Sequence, residues 1–227
     1  VECILIDHDE VEFKNTLRQA FNENDIGKNK ALALTERYAP CFESIPNFKL
    51  SIIQKYILDD PERTEYLEKF IDFDIAEEFT SADSLCIFIS AIDNNKSRKS
   101  IHSSFKKNNL HPHFIIDAGN EDVYGQVTLT SYNEAYSNIL KTYWEIHPEM
   151  VEFNDGVKAG PSCAEHDEEA ANNGVEQTIS ANVISASIAL GFIEDIIGVF
   201  FKNKDVKSIH NEIGFTINNS KINYSYK

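Results

Sequence analysis

Glu2-Cys-Ile-Leu-Ile-Asp7 is a short, continuous apolar run that ends in a carboxylate. Such a run is typical of a strand that is buried on both faces of a parallel sheet. Two later runs have the same character, Ser-Leu-Cys-Ile-Phe-Ile-Ser at 84–90 and Phe114-Ile-Ile-Asp117. Polar segments with helical spacing separate them. Strands that alternate with helices predict an α/β fold with a mostly parallel sheet and helices on both faces.

The remaining segments are assigned from their periodicity and from Gly and Pro signals. Strands are expected at 49–57 and 123–130, and 209–226 is expected to form a terminal hairpin around Asn218-Asn219. Helices are expected at 10–22, 31–38, 62–70, 95–107, 134–142, from 162 onward, and over a long apolar stretch at 175–201. Pro40 is expected to stop the second of these helices.

The composition limits the class of partner. The chain has 227 residues, of which 42% are hydrophobic, so most of it should be globular. Its formal net charge of −16 repels phosphate backbones, which excludes nucleic acid as the main partner. A nucleotide such as ATP remains compatible, because a local cluster of basic side chains can hold it whatever the net charge.

Cysteine usage and hydropathy favour the cytoplasm. No cysteine lies in a C-x-x-C pair, and isolated thiols suit a reducing compartment better than a disulfide scaffold. No secretory signal is visible. The apolar stretch 179–201 carries Glu194-Asp195 in its interior. Charges are costly in lipid, so this stretch is expected to be a core or subunit-interface helix and not a membrane span.

Polar residues follow two of the predicted strands at their carboxyl ends, where ligands bind in open α/β sheets. Asp7 follows the first strand, and a carboxylate there can accept hydrogen bonds from both hydroxyls of a ribose. If 10–22 is helical, three polar side chains share one of its faces. These are Asn15, Arg18 and Gln19. Each residue also has an ordinary alternative, since Asp7 can cap a loop and the helix face can simply be solvated.

Two further charged residues suit a triphosphate. Lys30, after Gly27 and Lys28, lies where a helix is expected to begin, and both an ammonium and a helix N-terminus attract anions. Asp93 comes just after the second strand, and a carboxylate there can hold a magnesium ion bound to ATP phosphates. The alternatives are a solvated lysine and a helix cap formed by Asp93-Asn94.

In order along the chain these residues form longer motifs. They read I-L-I-D-H-D-E-V-x3-N-x2-R-Q-x5-D-I-G-K-x-K from Ile4, S-A-I-D-N-N-x-S-R from Ser90, and I-I-D-A-G-N-x4-G-Q-V from Ile115. Together they resemble the ThiF, MoeB and ubiquitin-activating enzyme family over roughly the first 130 residues. The resemblance implies a Rossmann-like, ThiF-type domain spanning 1–227, with a nucleotide-binding core at 1–130 and a substrate and dimer side at 131–227.

The resemblance also implies roles for the site residues. Asp7 would hold the ribose, and Asp93 would coordinate magnesium. The residues that would line or contact the phosphates are Asn15, Arg18, Gln19 and Lys30. Two features of the family are missing from this sequence, the glycine-rich ATP loop and the paired C-x-x-C motifs of structural zinc sites. We therefore expect no zinc. Because the chain starts at Val1 inside a strand and its only methionine is Met150, we also expect a segment upstream, and whether that segment carries the loop stays open.

The C-terminal part narrows the resemblance. Pro161-Ser-Cys-Ala, Glu169-Ala-Ala and Gly214-Phe-Thr-Ile-Asn218 are similar to the ThiF-family protein of bacterial PRTRC gene systems. Such systems also encode ubiquitin-like and conjugating-enzyme-like proteins. The resemblance therefore implies a ubiquitin-like protein as substrate, a conjugating-enzyme-like partner and a homodimer.

Cys163 is the candidate for a thioester. Ser162-x-x-Glu165 is a capping box, which places Cys163 in the first turn of a helix where the dipole favours a thiolate. Neighbouring acidic residues oppose this by like-charge repulsion. They are Glu165, Asp167, Glu168 and Glu169. A plain structural cysteine stays open.

The sequence thus favours an enzyme that uses ATP and Mg²⁺ to adenylate the C-terminal carboxylate of a ubiquitin-like protein. In that reaction Arg18, Lys30 and magnesium at Asp93 offset charge on the phosphates. Two alternatives remain. One is a non-catalytic relative that binds or dimerises with an active homologue. The other is a dinucleotide-dependent oxidoreductase, for which Asp7 would also suit the ribose.

Overall fold

The computed structural model describes residues 1–17, 19–54, 85–92, 95–108, 113–120, 123–151, 179–202, 209–218 and 221–226. Within it the chain divides into two compact units, Val1–Leu58 and Asp59–Lys227. The predicted helices at 62–70 and from 162 onward lie outside the described residues.

The first unit is a two-stranded parallel sheet with a helical connection. Its elements are β1 (Glu2–Ile6), α1 (Phe13–Thr16), a 3₁₀ turn (Glu23–Asp25), α2 (Lys30–Phe42) and β2 (Lys49–Ile53). The register pairs Glu2 with Lys49 and Ile6 with Ile53, so the two strands end at the same level. The strands predicted at 2–7 and 49–57 are present, the second as Lys49–Ile53, and their parallel direction agrees with the predicted sheet.

Two helices differ in length from the predictions. The segment 10–22 was expected to be one helix, but α1 covers only Phe13–Thr16. Polar side chains there bond to nearby backbone groups, as Asn15 does to the N–H of Glu12, and such bonds compete with a longer helix. Helix α2 continues two residues past Pro40, its predicted stop. A proline this close to the end removes little of the helix's hydrogen bonding.

The second unit is a five-stranded sheet with helices. Its strands are β3 (Ile87–Ser90), β4 (Phe114–Asn120), β5 (Tyr124–Thr130), β6 (Glu212–Asn218) and β7 (Lys221–Tyr226). Its helices are α3 (Asn95–Asn108), α4 (Tyr143–Ile146) and α5 (Ile179–Lys202), with 3₁₀ turns at Glu134–Tyr136 and Pro148–Met150. The helix expected at 134–142 is thus a single 3₁₀ turn.

The strands of this sheet follow chain order, β3-β4-β5-β6-β7. β3 and β4 are parallel, joined through α3, and the other three pairs are antiparallel. Short connections, as between β4 and β5, allow only antiparallel pairing. The terminal hairpin predicted around Asn218-Asn219 is confirmed by β6 and β7. The α/β fold class is confirmed, with an antiparallel extension after its parallel strands.

Strand β4 separates two environments, because successive side chains point to opposite faces. Phe114 and Ile116 face a hydrophobic cluster with Phe192 and Ile196 of α5. The alternate residue Asp117 contacts α3 instead. The helices on both faces that the sequence predicts are therefore present in this unit.

Helix α5 includes a stretch, Ile179–Phe201, that is long and apolar enough to cross a membrane, with mean hydropathy 1.9. Its buried side supplies Phe192 and Ile196 to the core of the sheet. This packing agrees with one of the two predicted roles, a core helix, although only 28% of the stretch is buried.

Replacement of Phe192 by alanine tests this packing. Phe192 is 2% exposed, and its loss leaves a cavity between α5 and the sheet. We expect the free energy of unfolding to fall by about 3–5 kcal/mol, measured by urea denaturation. The matched control is Leu190→Ala, two residues away and 56% exposed, which should cost far less. Equal losses in the two variants would contradict the packing described for α5.

Candidate functional site

The carboxyl end of β1 holds Asp7 in a bonded turn. The N–H of Asp7 donates to the carbonyl of Ile53, 3.2 Å away, which continues the pairing with β2. Oδ1 of Asp7 accepts the N–H of Asp9 at 2.9 Å. The half-buried Asp7 carboxylate thus has one oxygen engaged by its own loop. Its second oxygen, Oδ2, has no hydrogen-bond partner among the residues that the structure describes.

Residues 27–30 run beside this turn and fix its path. The N–H of Val11 donates to the carbonyl of Lys28 at 2.8 Å, and the N–H of Gly27 donates to the carbonyl of Val11 at 2.9 Å. The N–H of Lys30 donates to the carbonyl of Asp9 at 2.8 Å. Gly27 has φ of +84°, which disfavours other residues. The strand-end loop and the start of α2 are therefore one bonded structure.

Lys30 is the first residue of α2, at the helix start that the sequence predicts, and it lies beside this loop. Its Nζ is 2.8 Å from Oδ2 of Asp9, and the side chain is 18% exposed. The ammonium is thus bonded to the turn that carries Asp7. A phosphate contact by Lys30, which the family resemblance implies, would have to share the ammonium with Asp9.

The three polar residues predicted to share a helix face have different surroundings. Asn15 is buried and its Oδ1 accepts the N–H of Glu12 at 2.8 Å. Gln19 is exposed, and its N–H donates to the carbonyl of Asn15, so one helical turn does connect the two. Arg18 lies outside the described residues. The common face of these residues stays a prediction.

Two other predicted site residues, Asp93 and Cys163, also lie outside the described residues. Of the cysteines that are described, Cys3 and Cys86 have thiols whose pKa burial raises, that of Cys86 to about 11. A raised pKa disfavours the thiolate, so these two are poor nucleophiles. Both side chains are half-buried, in β1 and just before β3.

Asp7, His8 and Asp9 are the one group of three side chains, in the part of the chain that the structure describes, whose ligand atoms lie close enough for a metal ion. Asp9 is already engaged, with Oδ2 at Lys30 and Oδ1 3.1 Å from Nε2 of His8. The geometry therefore gives no support for magnesium at this group.

Asp25 is a structural residue that the sequence reasoning did not single out. It is 6% exposed and forms an ion pair with Arg37 of α2. Its Oδ2 also accepts the N–H of Asn22 at 3.0 Å. The carboxylate of the D-I-G-K motif thus ties the loop before α2 to that helix.

The second unit contains a buried ion pair that was also missed. Nε of Arg98 is 2.6 Å from Oδ2 of Asp117. Nη2 of Arg98 donates to the carbonyls of Ile92 at 2.6 Å and of Ala118 at 3.4 Å. A Cβ at Gly119 would come within 3.1 Å of that nitrogen, so glycine leaves the guanidinium room. The signal was present as Asp117 at a strand and Arg98 in the S-R motif, but spacing does not show that they meet.

His102 extends this network. Its Nε2 is 3.4 Å from Oδ2 of Asp117, its Nδ1 is 3.1 Å from the hydroxyl of Tyr132, and its ring stacks on Tyr143 at 4.0 Å. Burial lowers the pKa of His102 more than Asp117 raises it, so the ring is neutral at pH 7. A neutral ring can donate from Nε2 to the carboxylate and accept from Tyr132 at Nδ1.

The charge of Asp117 depends on Arg98. Burial would raise the pKa of this carboxyl, but the charge of Arg98 and a hydrogen bond from His102 outweigh burial and lower the pKa. The carboxylate is therefore ionised and compensated inside the unit. This arrangement stabilises the connection between β3, α3 and β4, and it touches no residue with a predicted role in the chemistry.

Removal of Arg98 tests the compensation. In Arg98→Met, Asp117 stays buried without its main partner, so we expect the free energy of unfolding to fall by about 3–5 kcal/mol in urea denaturation. Adding Asp117→Asn to that variant should recover part of the loss, because no uncompensated charge remains. The matched control is Lys106→Met, an exposed cation of the same helix. Additive losses for the Arg98 and Asp117 changes would refute the coupling.

The lowered pKa of His102 makes the stability of the fold depend on pH. The unfolded chain takes up a proton at His102 near the ordinary histidine pKa of 6.5, whereas the folded state, with a lowered pKa, resists it. Stability from this residue is thus present above that pH and lost as the pH falls. The slope is at most about 1.4 kcal/mol per pH unit. Unfolding of the protein and of His102→Gln should be compared from pH about 8 to about 5. Parallel curves would contradict the neutral, buried state of His102.

Solved structures share this fold. PaaA gives a TM-score of 0.56 at 16% identity, over 100% of this chain and 57% of that protein. MccB of E. coli with ATP gives 0.56 at 19% identity, over 100% and 55%. The structure of E. coli MccB with MccA-N7isoASN gives a TM-score of 0.57 at 20% identity. The match covers 99% of this chain and 56% of that protein. At such identities the likeness shows the fold, and this chain spans little more than half the length of these proteins.

No curated protein matches the chain significantly in sequence. The ThiF family, in contrast, matches residues 2–222. That match includes both units and all the motifs from which the resemblance was drawn. The narrower similarity to the PRTRC-system protein stays a prediction. With nearly its whole length matched, the chain belongs to the ThiF family.

Proposed function

We propose that this protein adenylates the C-terminal carboxylate of a ubiquitin-like protein, using ATP and Mg²⁺. Its membership of the ThiF family supports an E1-like adenylyltransferase. The observation that carries the proposal is the strand-end loop of the first unit. It presents the carboxylate of Asp7 at the carboxyl end of a parallel strand, with the ammonium of Lys30 in the same bonded loop.

Asp7 is the residue proposed to bind the ribose of ATP. Its Oδ1 accepts from the N–H of Asp9, which fixes the carboxylate plane. An ionised carboxylate accepts hydrogen bonds only, and it can take both ribose hydroxyls on its remaining lone pairs. Such charge-assisted bonds are stronger than neutral ones, so this contact supports nucleotide binding.

Four polar residues are proposed to contact the phosphates. They are Lys30, Arg18, Asn15 and Gln19. Lys30 is 18% exposed and its Nζ is paired with Asp9, so a phosphate would share an ammonium whose position is already fixed. A positioned cation stabilises negative charge with little reorganisation. The surrounding chain is strongly acidic, with a net charge of −16, which makes each local cation in the site more important for holding a polyphosphate.

The reaction itself is a displacement at phosphorus. A carboxylate oxygen of the substrate's C-terminus attacks the α-phosphorus, the bond to the bridging oxygen breaks, and pyrophosphate leaves with its electron pair. Magnesium held by Asp93 would supply charge neutralisation on the phosphates. The product is an acyl adenylate, which hydrolyses readily and needs a site poor in water or rapid transfer.

Cys163 is proposed to receive the acyl group. Its thiolate would attack the acyl carbon and AMP would leave, which converts the adenylate to a thioester. A conjugating-enzyme-like protein would then take the acyl group, and the enzyme would work as a homodimer in the cytoplasm. Structures of E. coli MccB include ATP in one and MccA in another, so a fold of this kind can be accompanied by both a nucleotide and a second molecule.

The alternative is a non-catalytic relative that binds an active homologue. The ion pair of Lys30 with Asp9 favours this alternative, because Asp9 neutralises the cation that is proposed to meet the phosphates. Binding of ATP separates the alternatives, because only the enzyme requires it. Tight binding of NAD without ATP would instead favour an oxidoreductase.

Exchange of labelled pyrophosphate into ATP tests the proposal. The full-length protein is assayed with the candidate ubiquitin-like partner. We expect partner-dependent exchange that Asp93→Ala abolishes and that Asp7→Asn reduces by about tenfold or more, because the ribose contact is weakened. The matched control is Glu36→Gln, a surface carboxylate of α2 paired with Lys28, which should exchange normally. If ATP does not bind and no exchange occurs, the proposal fails and the non-catalytic alternative stands.

A further inference from the structure

Asn29 connects the start of α2 to the loop that carries Asp7. Its Nδ2 donates to two backbone carbonyls, that of Asp7 at 2.9 Å and that of Asp9 at 3.1 Å. Its Oδ1 accepts the N–H of Leu32 at 3.1 Å, which caps the helix. One side chain thus uses its donors on the loop and its acceptor on the helix.

The three partners determine the orientation of the amide. Carbonyl oxygens can only accept and a backbone N–H can only donate, so Nδ2 must face Asp7 and Asp9 while Oδ1 must face Leu32. The reversed amide would place oxygen against two carbonyls. When Oδ1 of Asn29 caps the helix, its Nδ2 therefore faces the two carbonyls of the loop.

Asp7 is thereby held on both sides of its backbone. Its N–H is bonded to Ile53 of β2, and its carbonyl accepts from Asn29. The carbonyl of Asp9 accepts from Asn29 and from the N–H of Lys30. With the backbone of the turn held in this way, the N–H of Asp9 stays where it can donate to Oδ1 of Asp7, and that bond restrains the carboxylate.

We propose that Asn29 is a positioning residue for nucleotide binding, which orients the Asp7 carboxylate toward the ribose hydroxyls. This inference rests on the proposed function and concerns the same site. Asn29 itself does not touch the nucleotide in this account. Its contribution is preorganisation, since a carboxylate already oriented need not be ordered when the ligand binds.

A conservative substitution separates the capping of α2 by Asn29 from its bonds to the loop. Serine is as good a helix cap as asparagine, but its hydroxyl has one proton and is too short to serve both carbonyls. Asn29→Ser therefore keeps the cap of α2 and loses at least one of the two donations to the loop. Asn29→Asp is a second variant, which keeps the length and the cap but presents oxygen to both carbonyls.

The readout is the preference for an intact ribose. Binding of ATP and of 3′-deoxy-ATP to the full-length protein is measured by calorimetry. The protein should prefer ATP about tenfold or more, and the preference should shrink to about twofold in Asn29→Ser and Asn29→Asp. The matched control is Ala33→Gly, a buried position of α2 outside the loop, which weakens the helix but should keep the full preference.

Amide hydrogen exchange gives a second readout that needs no nucleotide. The N–H groups of Asp9, Val11 and Lys30 are bonded within the loop, so they should exchange faster in Asn29→Ser than in Ala33→Gly. Unchanged exchange would overturn the positioning role. Faster exchange with an undiminished ribose preference would overturn its link to Asp7. If the unaltered protein binds no ATP, the proposed function fails, while the exchange result still decides whether Asn29 orders the loop.

Discussion

The parallel pairing of β1 with β2 is the constraint on which the first unit depends. Parallel strands bring their carboxyl ends to one edge, and the register here makes Ile6 and Ile53 end together. The pairing extends one residue further through the N–H of Asp7, so the first residue of the loop is still held by the sheet. The acidic turn and the start of α2 then bond to each other. The carboxylate of Asp7 and the ammonium of Lys30 are consequently held at one edge of this sheet by hydrogen bonds of the loop.

Strand β4 has the corresponding role in the second unit. One face of it supplies apolar side chains to α5, and the other supplies Asp117 to Arg98 and His102. The two faces are energetically different, because an apolar core tolerates exchange of similar side chains whereas a buried ion pair does not tolerate loss of one partner. The guanidinium of Arg98 also bonds the carbonyl of Ile92, directly before Asp93 in the chain. The buried ion pair thus also holds the chain just after β3.

The strands at the apolar runs and their parallel direction were predictable from the sequence. A short run such as Ile4-Leu-Ile is stable only where its side chains are removed from water, and an α/β sheet provides such a place. The length of α1 was not, because the side chain of Asn15 bonds its own backbone and local periodicity does not reveal that competition. In the candidate site, Asp7 and Lys30 were predictable as types of residue in a motif. Asn29 stood in that motif as an unassigned position. Its importance comes from bonds to residues some twenty positions earlier, which exist only once the chain has returned beside β1. Arg98 and Asp117 were missed for the same reason.

If the loop at the end of β1 holds a nucleotide, ATP should change the surroundings of the backbone amides of that loop. Mapping of ATP-induced changes in the backbone ¹⁵N–¹H NMR spectrum of the full-length protein tests it most directly. The account predicts that saturating ATP shifts the amide resonances of Asp7, Asp9 and Lys30 most strongly. Resonances of that loop that stay unchanged while ATP binds would contradict it.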